Sequence, residues 1–395
     1  MKRITLGEWE KKYIAKPINR FDQKNRANMR LEWDPEWGKS LGKYNALGKY
    51  NVLKKFDTKI EIKDEPGYTP WDAALLNAVL SDGRFRGSIE QPETFEAAAE
   101  ISKIGKKSPD MEKVDVSDPQ RVTRNIKKLA TYFGADLVGV CRLDSRWIYS
   151  HSYKRLELQG RTYPDAVIGE SKPIEIPEEF QYAVAMAVNQ DYNVIKYSPT
   201  MISSSSNFIA YTRLINANHL LSVFINNLGF KAVALPTHQI ARHIPIAMQA
   251  GLGDIGRNGL LITPEFGPRV KITSMVTNLP IAVDLPIDFG VTEFCATCKK
   301  CAEVCPGQAL PYGERNTEPY NASNSAGEQK WRVNAEKCAI YWASGHMGCH
   351  TCVACCPFNK MEDSFGYIKP LKADNFWDEW QPIPYGAIGI QSWNR

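Results

Sequence analysis

The hydrophobic positions of residues 118–141 change from the spacing of a helix to that of a strand. Asp118 is a good N-cap and Pro119 a good first helical residue, and the apolar residues after them recur at helical spacing. Gly134 follows this stripe and predicts the end of the helix. The apolar run at 137–141 then predicts a buried strand.

The same order of elements returns further along the chain. An apolar stripe at helical spacing occupies residues 214–228, and Gly229 predicts the end of that helix. Residues 232–235 predict a strand after it, and residues 182–188 are another strand candidate between the two units. Because helices and strands alternate in this way, the sequence predicts an α/β fold with a layered core.

The segments outside this pattern divide the chain into further parts. Residues 1–117 are rich in Lys, Trp, Tyr, Gly and Pro, and we expect them to form an irregular unit that wraps the core. The core spans 118–292, and its polar, Pro-rich stretch at 144–177 is typical of an insertion. A cysteine-rich unit follows at 293–362, and we expect the aromatic, Pro-rich tail at 363–395 to pack over the core.

The composition is that of an ordinary globular protein with ample room for a buried core. Of 395 residues, 43% are hydrophobic and 24% are charged, and the formal net charge is +5. This small positive balance is spread along the chain, so we expect no nucleic acid as a partner. No apolar run approaches the roughly 18–20 residues of a transmembrane helix, and the first residues predict no signal peptide.

Nine of the ten cysteines lie between residues 295 and 356, and the first group of them has the spacing of iron–sulfur ligands. This group is Cys295, Cys298, Cys301 and Cys305, with Pro306 directly after it. It matches C-x2-C-x2-C-x3-C-P, the pattern of bacterial ferredoxins. Thiolates are soft anionic ligands that hold iron well, so the spacing predicts an electron-transfer module.

A second group completes the ligands of two 4Fe–4S clusters. It consists of Cys349, Cys352 and Cys356, followed by Pro357, with Cys338 upstream in place of the missing first cysteine. In two-cluster ferredoxins the fourth cysteine of each run binds the other cluster. Cluster one is therefore expected to take Cys295, Cys298, Cys301 and Cys356, and cluster two to take Cys338, Cys349, Cys352 and Cys305. Cys355 is left without a role.

Zinc and disulfides are the other common fates of clustered cysteines. Zinc sites take four ligands, typically as separated pairs, and do not explain four closely spaced cysteines followed by Pro. Disulfide frameworks belong to short secreted domains, and this chain is far longer.

A glycine-rich loop precedes the cysteines. Gly251, Gly253 and Gly256 spell G-x-G-x-x-G, but a dinucleotide site requires a preceding strand and an acidic residue about 20 positions on, and neither is evident. We interpret the loop, including Leu252, as one that lets backbone approach a flat cofactor closely. The nearby His238 and His243 lack a third residue spaced to form a metal site with them.

Taken together, these segments resemble the corrinoid iron–sulfur reductive dehalogenases. The resemblance covers about residues 114–360 and is most specific in the two cysteine runs. The matching segments before the cysteines are 135–141, 250–253, 256–257, 261–264, 267–270 and 289–291. The resemblance implies a nitroreductase-like core that holds cobalamin base-off, beside a ferredoxin-like unit with two 4Fe–4S clusters. The sequence also lacks D-x-H-x-x-G, by which some cobalamin proteins bind cobalt through His.

The activity implied is removal of halide from a small organohalide, with a Tyr as proton donor beside an Arg or Lys. Tyr211, expected to open the second long helix after the serine run at 203–206, and Arg269, which follows Gly267-Pro268, are the positions that we match to this pair. Thr237 or His238 is the nearest match to a third polar position, often Asn in the family. A cation beside the Tyr would stabilise its phenolate and assist proton donation.

The resemblance also implies a place and partners. Family members are exported and lie on the outer face of the cytoplasmic membrane, bound to a small anchor protein and supplied by an upstream electron donor. A homodimer is a further possibility. Two alternatives stay open: an enzyme like epoxyqueuosine reductase, which acts on transfer RNA, and a ferredoxin-type electron carrier without corrinoid.

Overall fold

The structure, a computed structural model, describes the core and most of the cysteine-rich unit. The described residues are 1–34, 37, 65, 68–69, 71–72, 74–75, 95–102, 115–154, 170–237, 239–343 and 348–359. His238 and the tail predicted at 363–395 lie outside the described residues. Among the helices that are described, none has the length and apolar character needed to cross a bilayer.

The strands form one central sheet and several two-stranded pairs. They are β1 (Lys2–Arg3), β2 (Leu137–Arg142), β3 (His151–Lys154), β4 (Glu170–Pro173), β5 (Tyr182–Asn189), β6 (Ala232–Ala234), β7 (Asp254–Ile255), β8 (Leu261–Ile262), β9 (Val270–Thr277) and β10 (Ile287–Asp288).

The helices flank this sheet or belong to the cysteine-rich unit. They are α1 (Leu6–Tyr13), α2 (Ala27–Trp33), α3 (Phe95–Ser102), α4 (Pro119–Tyr132), α5 (Tyr192–Ile195), α6 (Met201–Asn227), α7 (His243–Gln249), α8 (Val291–Thr297), α9 (Lys300–Glu303), α10 (Ala335–Ala343) and α11 (Thr351–Ala354). Short 3₁₀ turns lie at Gln23–Asn25 and Ser145–Trp147.

The central sheet is antiparallel, with its strands in the order β2, β5, β9, β6. Val140 on β2 lies opposite Val184 on β5, and Val184 lies opposite Met275 on β9. Because side chains alternate between the two faces of a strand, these three point to the same face. They are fully buried there under α4 and α6, which contribute Ile126 and Leu214 to the same cluster.

The opposite face of the sheet is covered by α7. It carries the small side chains Ala183, Ala185 and Ala187, which are fully buried and pack in one cluster with Ile246 and Ala247 of the helix. Small residues on a strand let a helix approach closely. With both faces covered, β5 is buried along almost its whole length. The arrangement agrees with the α/β layering that the periodicity predicts.

The N-terminal segment is attached to this core by polar contacts. The hydroxyl of Tyr13 on α1 donates a hydrogen bond to Asp254, and the ammonium of Lys12 lies 2.9 Å from Asp288. Strand β1 pairs with β10 in antiparallel register. Trp9 of α1 packs edge-on against the fully buried Trp147 at 6.1 Å. The segment 144–177, expected as an irregular insertion, thus contributes a buried side chain as well as the paired strands β3 and β4.

The second long helix begins earlier than the sequence predicts. Helix α6 starts at Met201, so Tyr211 lies in its interior and does not open it. The serine run at 203–206, expected before the helix, is buried within it. Ser204 and Ser205 donate to the carbonyls of Thr200 and Ile202, at 3.2 and 2.7 Å. These bonds satisfy their hydroxyls inside the helix, so the polar run does not break it.

Gly139 on β2 is expected to be intolerant of any side chain. A Cβ at this position would lie 2.2 Å from the carbonyl oxygen of Ala250, at the end of α7. We predict that Gly139→Ala destabilises the fold by about 1–3 kcal/mol, because the sheet and the helix must separate. Thermal unfolding measures this. Gly7→Ala is the control: Gly7 is an exposed position of α1 with open space around it, and Ala there should be neutral or slightly stabilising. Equal melting temperatures for the two variants would contradict the prediction.

Candidate functional site

A cavity of about 350 Å³ lies between the start of β9, helix α1 and the segment 328–330. One part of its lining is aromatic and comprises Trp9, Tyr13, Trp147, Tyr149 and Tyr211. Another part is charged and comprises Arg26, Arg242, Lys271, Glu328 and Lys330. The volume suits a small organic molecule, and cations outnumber carboxylates in the lining.

Tyr211, the predicted proton donor, is one of the residues that line this cavity. Its ring faces the ammonium of Lys271, which lies 5.2 Å from the ring centre. Burial raises the pKa of Tyr211 above its ordinary value, and the guanidinium of Arg26 acts in the opposite direction. The hydroxyl therefore stays protonated at neutral pH, while two cations favour the phenolate that proton transfer would leave.

The ammonium of Lys271 is buried, which disfavours its charged form. Burial lowers its pKa to about 8, and the negative charge of a deprotonated Cys352 would act in the opposite direction. The side chain thus lines the cavity and lies within electrostatic range of a cysteine predicted to bind cluster two. This residue was not predicted from the sequence. It stands two positions after Arg269, which immediately precedes β9, and a pattern of alternating faces does not distinguish two residues at that spacing.

Arg269 has a different environment from the one expected. Its guanidinium is buried, donates to Asn189 and to the carbonyl of Gln190, and packs over the ring of Phe266 at 5.2 Å. Burial lowers its pKa to about 10. Tyr211 is among the described residues that line the cavity, and Arg269 is not. Lys271 therefore lies beside the ring of the predicted donor, and Arg269 as the second residue of the pair stays a prediction.

Thr237 and His243 line the cavity in different ways. The Thr237 hydroxyl is buried and has no hydrogen-bond partner among the described residues, so it is a polar group left for a ligand. Both ring nitrogens of His243 are engaged, at 2.6 Å from Ser274 Oγ and 2.8 Å from the carbonyl of Pro236. Burial lowers the pKa of His243 to about 4, so the ring is neutral at neutral pH.

The glycines of the predicted cofactor loop pack against the protein itself. A Cβ on Gly251, which has φ +75°, would lie 2.5 Å from the carbonyl of Leu285, and one on Gly253 would lie 2.1 Å from that of Ile262. Neither these glycines nor Leu252 are among the cavity-lining residues that the structure describes. Helix α7 precedes the loop and β7 follows it, the reverse of a dinucleotide site.

The cysteines predicted for cluster one line a common small cavity. Its lining includes Cys295, Cys298, Cys301 and Cys356. Cys355 is absent from the described lining, and its thiol lies 3.7 Å from the carbonyl of Cys352. Four thiols around one space are the donor set that a 4Fe–4S cluster requires. Across the described residues, no three His, Cys, Asp or Glu side chains lie close enough together to hold a single metal ion.

The cysteines predicted for cluster two also lie near one another. Burial raises the pKa of Cys338 to about 12, and the charges of Cys349 and Cys305 add to this effect. The pKa of Cys352 lies well above its ordinary value, first through burial and then through Cys338 and Cys349. Iron bound to these sulfurs would reverse this, because a metal deprotonates the thiols that it binds.

A buried guanidinium ties the core to the cluster-one loop. Arg257 is 1% exposed and follows Gly256 in the segment between β7 and β8. It donates to the carbonyls of Cys295, at 2.6 and 3.0 Å, and of Cys298, at 2.9 Å. It also stacks on the buried ring of Trp331 at 4.9 Å. The sequence analysis recorded Arg257 only as part of a matching segment.

A second contact joins the cluster-two loop to α6. His350, between Cys349 and Thr351, is buried, with its Nδ1 at 3.0 Å from Ser203 Oγ and its Nε2 at 3.1 Å from Gln190 Nε2. Helix α6 also carries Tyr211, so the cluster-two loop and the predicted proton donor are attached to one rigid element.

Comparison with known proteins gives a consistent result. Residues 294–359 match the family described as a 4Fe-4S double cluster binding domain. Tetrachloroethene reductive dehalogenases of Sulfurospirillum multivorans and Desulfitobacterium hafniense are 35% and 33% identical to this chain over 260 and 335 residues. The alignments cover 62% and 76% of this chain and 52% and 55% of the relatives, so the chain spans about half the length of these proteins.

A solved structure agrees with these relatives. It is a reductive dehalogenase whose structure suggests a mechanism for B12-dependent dehalogenation. It is 25% identical to this chain, with a TM-score of 0.65, and the match covers 92% of this chain and 45% of the other.

The cavity that four thiols share predicts which cysteine of the adjacent pair binds iron. In anaerobically reconstituted protein we expect about eight iron atoms per chain. Cys356→Ser should lose about four of them, because cluster one then lacks a ligand. Cys355→Ser, the neighbouring control, should keep the full content. Iron analysis with electron paramagnetic resonance of the reduced protein makes the comparison. Loss of a cluster in Cys355→Ser with full content in Cys356→Ser would reverse the assignment.

Proposed function

Because the chain belongs to the reductive dehalogenase family, we propose that it removes halide from a small organohalide, using electrons that pass through two 4Fe–4S clusters to a bound cobalamin. The observation that carries this proposal is the position of Tyr211. Tyr211 lines a cavity together with Arg26 and Lys271, and Lys271 lies within electrostatic range of a cysteine predicted to bind cluster two. A cavity with a proton donor favours an enzyme over a carrier that only docks to a partner.

We propose that the core is nitroreductase-like and holds the cobalamin base-off beside this cavity. Cobalamin supplies, when bound, a low-valent cobalt centre able to deliver electrons to a carbon–halogen bond. The unpaired hydroxyl of Thr237 is available to hold a ligand at the cavity wall. Both nitrogens of His243 already have partners in the protein, so His243 would not be available as a ligand of the cobalt.

The proton for the product carbon is proposed to come from Tyr211. Loss of halide leaves a carbon that needs a proton, and Tyr211 belongs to the lining of the cavity. The raised pKa of Tyr211 keeps the hydroxyl protonated before transfer, and Lys271 and Arg26 stabilise the phenolate afterwards. Lys271 takes the role that the sequence analysis gave to Arg269.

Location and partners are proposed from the resemblance alone. We propose that a small anchor protein attaches the chain to the outer face of the cytoplasmic membrane and that an upstream electron donor supplies it with electrons. We also propose that the chain forms a homodimer. Fractionation of the native host with antibody against this chain tests the first of these.

Removal of the Tyr211 hydroxyl should separate proton delivery from cofactor binding. We predict that Tyr211→Phe lowers turnover about 10²- to 10⁴-fold, the range typical of general acid catalysis, while iron and corrinoid contents stay at the wild-type level. Turnover is measured as halide release from tetrachloroethene, a halophenol and a chloroalkane, with chemically reduced viologen as donor. Tyr132→Phe, an equivalent change on the exposed surface of α4, is the control. Near-normal turnover of fully loaded Tyr211→Phe would contradict the assignment of Tyr211 as the proton donor.

Turnover of epoxyqueuosine-containing transfer RNA instead of organohalides would favour the alternative function, that of an enzyme like epoxyqueuosine reductase.

The charge of Lys271 predicts the alkaline side of the pH profile. Its pKa of about 8 in the folded protein lies below the ordinary value, so the ammonium is lost as pH rises through that range. Turnover should therefore fall above about pH 8, or at somewhat higher pH where the negative charge of a bound cluster raises this pKa. In Lys271→Arg the cation persists, and the fall should move to higher pH. In Lys271→Met turnover should be low throughout. Identical profiles for the wild type and Lys271→Arg would mean that another group titrates.

A further inference from the structure

The charge of Arg257 has no carboxylate partner among the described residues. Each of its hydrogen bonds goes to a main-chain carbonyl. Besides Cys295 and Cys298, the acceptors are the carbonyls of Ala296 at 3.2 Å, Pro311 at 2.9 Å and Gly313 at 2.9 Å. Carbonyls satisfy the N–H groups of a guanidinium, but they carry no net charge to neutralise it. A cation that is 1% exposed without a counter-charge is costly to bury.

A counter-charge is available at the place where Arg257 lies. The residue lines the same small cavity as Cys295, Cys298, Cys301 and Cys356. Four thiolates around an iron–sulfur core give a net negative group, and reduction of the cluster by one electron adds a further negative charge. A permanent cation beside the cluster is stabilised by this negative charge. The cation in turn stabilises the reduced cluster more strongly than the oxidised one, because the reduced cluster carries more negative charge.

The segment that carries Arg257 also contacts the other parts of the site. Ile255 and Gly259 line the large cavity, and the amide of the adjacent Asn258 donates to the carbonyl of Cys352 at 3.4 Å. The segment 255–259 therefore touches the cavity and both cysteine loops, and Arg257 places its charge at the loop of cluster one.

We propose that Arg257 is the counter-charge of cluster one, a positioning residue that raises the reduction potential of that cluster relative to cluster two. This rests on the proposed function in so far as it assumes two clusters in series. The electron that cluster one accepts is then held next to the cavity wall instead of returning to cluster two. The guanidinium is suited to this task because it stays protonated and makes many directed bonds at once.

Arg332 provides a matched comparison within the same chain. It is equally buried, at 1% exposure, and it too donates to main-chain carbonyls, among them those of Thr317 and Glu328. Unlike Arg257, Arg332 interacts electrostatically with a carboxylate, that of Glu328. It is also absent from the described lining of the cavity that the cluster-one cysteines share. A change at Arg332 thus tests the general effect of disturbing a buried guanidinium without removing charge from cluster one.

The test is a redox titration of anaerobically reconstituted protein, followed by electron paramagnetic resonance, in the absence of organohalide. In Arg257→Gln, at the wild-type midpoint of cluster one, the ratio of reduced to oxidised cluster should fall about tenfold, a shift of about 59 mV for one electron. Cluster two should keep its midpoint, and iron content should be unchanged. Arg257→Lys, which keeps the charge but not the set of bonds, should restore most of the potential. Arg332→Gln should leave the midpoint of cluster one in place.

Several results would overturn the proposal. They are an unchanged cluster-one midpoint in Arg257→Gln, an equal shift of both clusters, and an equal shift in Arg332→Gln. If Arg257→Gln loses cluster one, the Arg257→Lys variant distinguishes the two explanations. Loss of the cluster in Arg257→Lys as well would show that Arg257 acts only through its hydrogen bonds. A retained cluster with the wild-type midpoint would support a role for the positive charge. Because no organohalide is present, a failed proposal on Arg257 is distinguishable from a failed proposal of dehalogenation, which the halide assay reports separately.

Discussion

The buried guanidinium of Arg257 is the interaction on which the assembly of this molecule depends. It stands on the short connection between β7 and β8, and its bonds reach carbonyls of the cluster-one loop, 295–298, and of 311–313. Without these bonds the loop would present several carbonyls to the interior with no donor, which is unfavourable. The same residue therefore fixes the cysteine-rich unit to the core and places a positive charge where an anionic cluster would lie.

The large cavity is formed where several segments of this assembly meet. Its floor comes from the start of β9, one wall from α1, and another from the segment around Glu328, which lies 2.5 Å from Arg242 and 3.0 Å from Lys330. Glu328 is held ionised by these two cations in spite of its burial, which keeps its pKa below the ordinary value. Lys271 and Arg26 line the same cavity as Tyr211, so the positive charges of both act on the cavity and on the Tyr211 hydroxyl.

Much of this was accessible from the sequence, and the exceptions have physical reasons. Cysteine spacing is dictated by the geometry of a cluster, so both ligand sets could be proposed from the pattern, and the structure places the four cysteines of the first set around one cavity. Helix and strand periodicity located α4, β2 and β5 because apolar burial controls those segments. The serine run misled the placement of α6, since the hydroxyls of Ser204 and Ser205 bond back to carbonyls of the preceding turn, which composition does not reveal.

Residues whose role depends on distant neighbours were not predictable in the same way. Arg269 immediately precedes β9 and Lys271 is the second residue of that strand, and only packing decides which of them lies beside Tyr211. The glycines at 251 and 253 were expected to admit a cofactor, yet their close neighbours are the carbonyls of Leu285 and Ile262. Arg257 finds its acceptors about 40 to 55 positions further along the chain, beyond the reach of any local pattern.

The central claim is that electrons stored in the cysteine-rich unit leave through the cavity to an organohalide. A single-turnover experiment tests it most directly: reconstituted protein with cobalamin and both clusters is reduced, freed of excess reductant, mixed with tetrachloroethene or another organohalide, and frozen at intervals. The account predicts that the resonance of the reduced clusters disappears at the rate at which halide is released. Clusters that stay reduced while every organohalide class remains intact, or that become oxidised without release of halide, would contradict it.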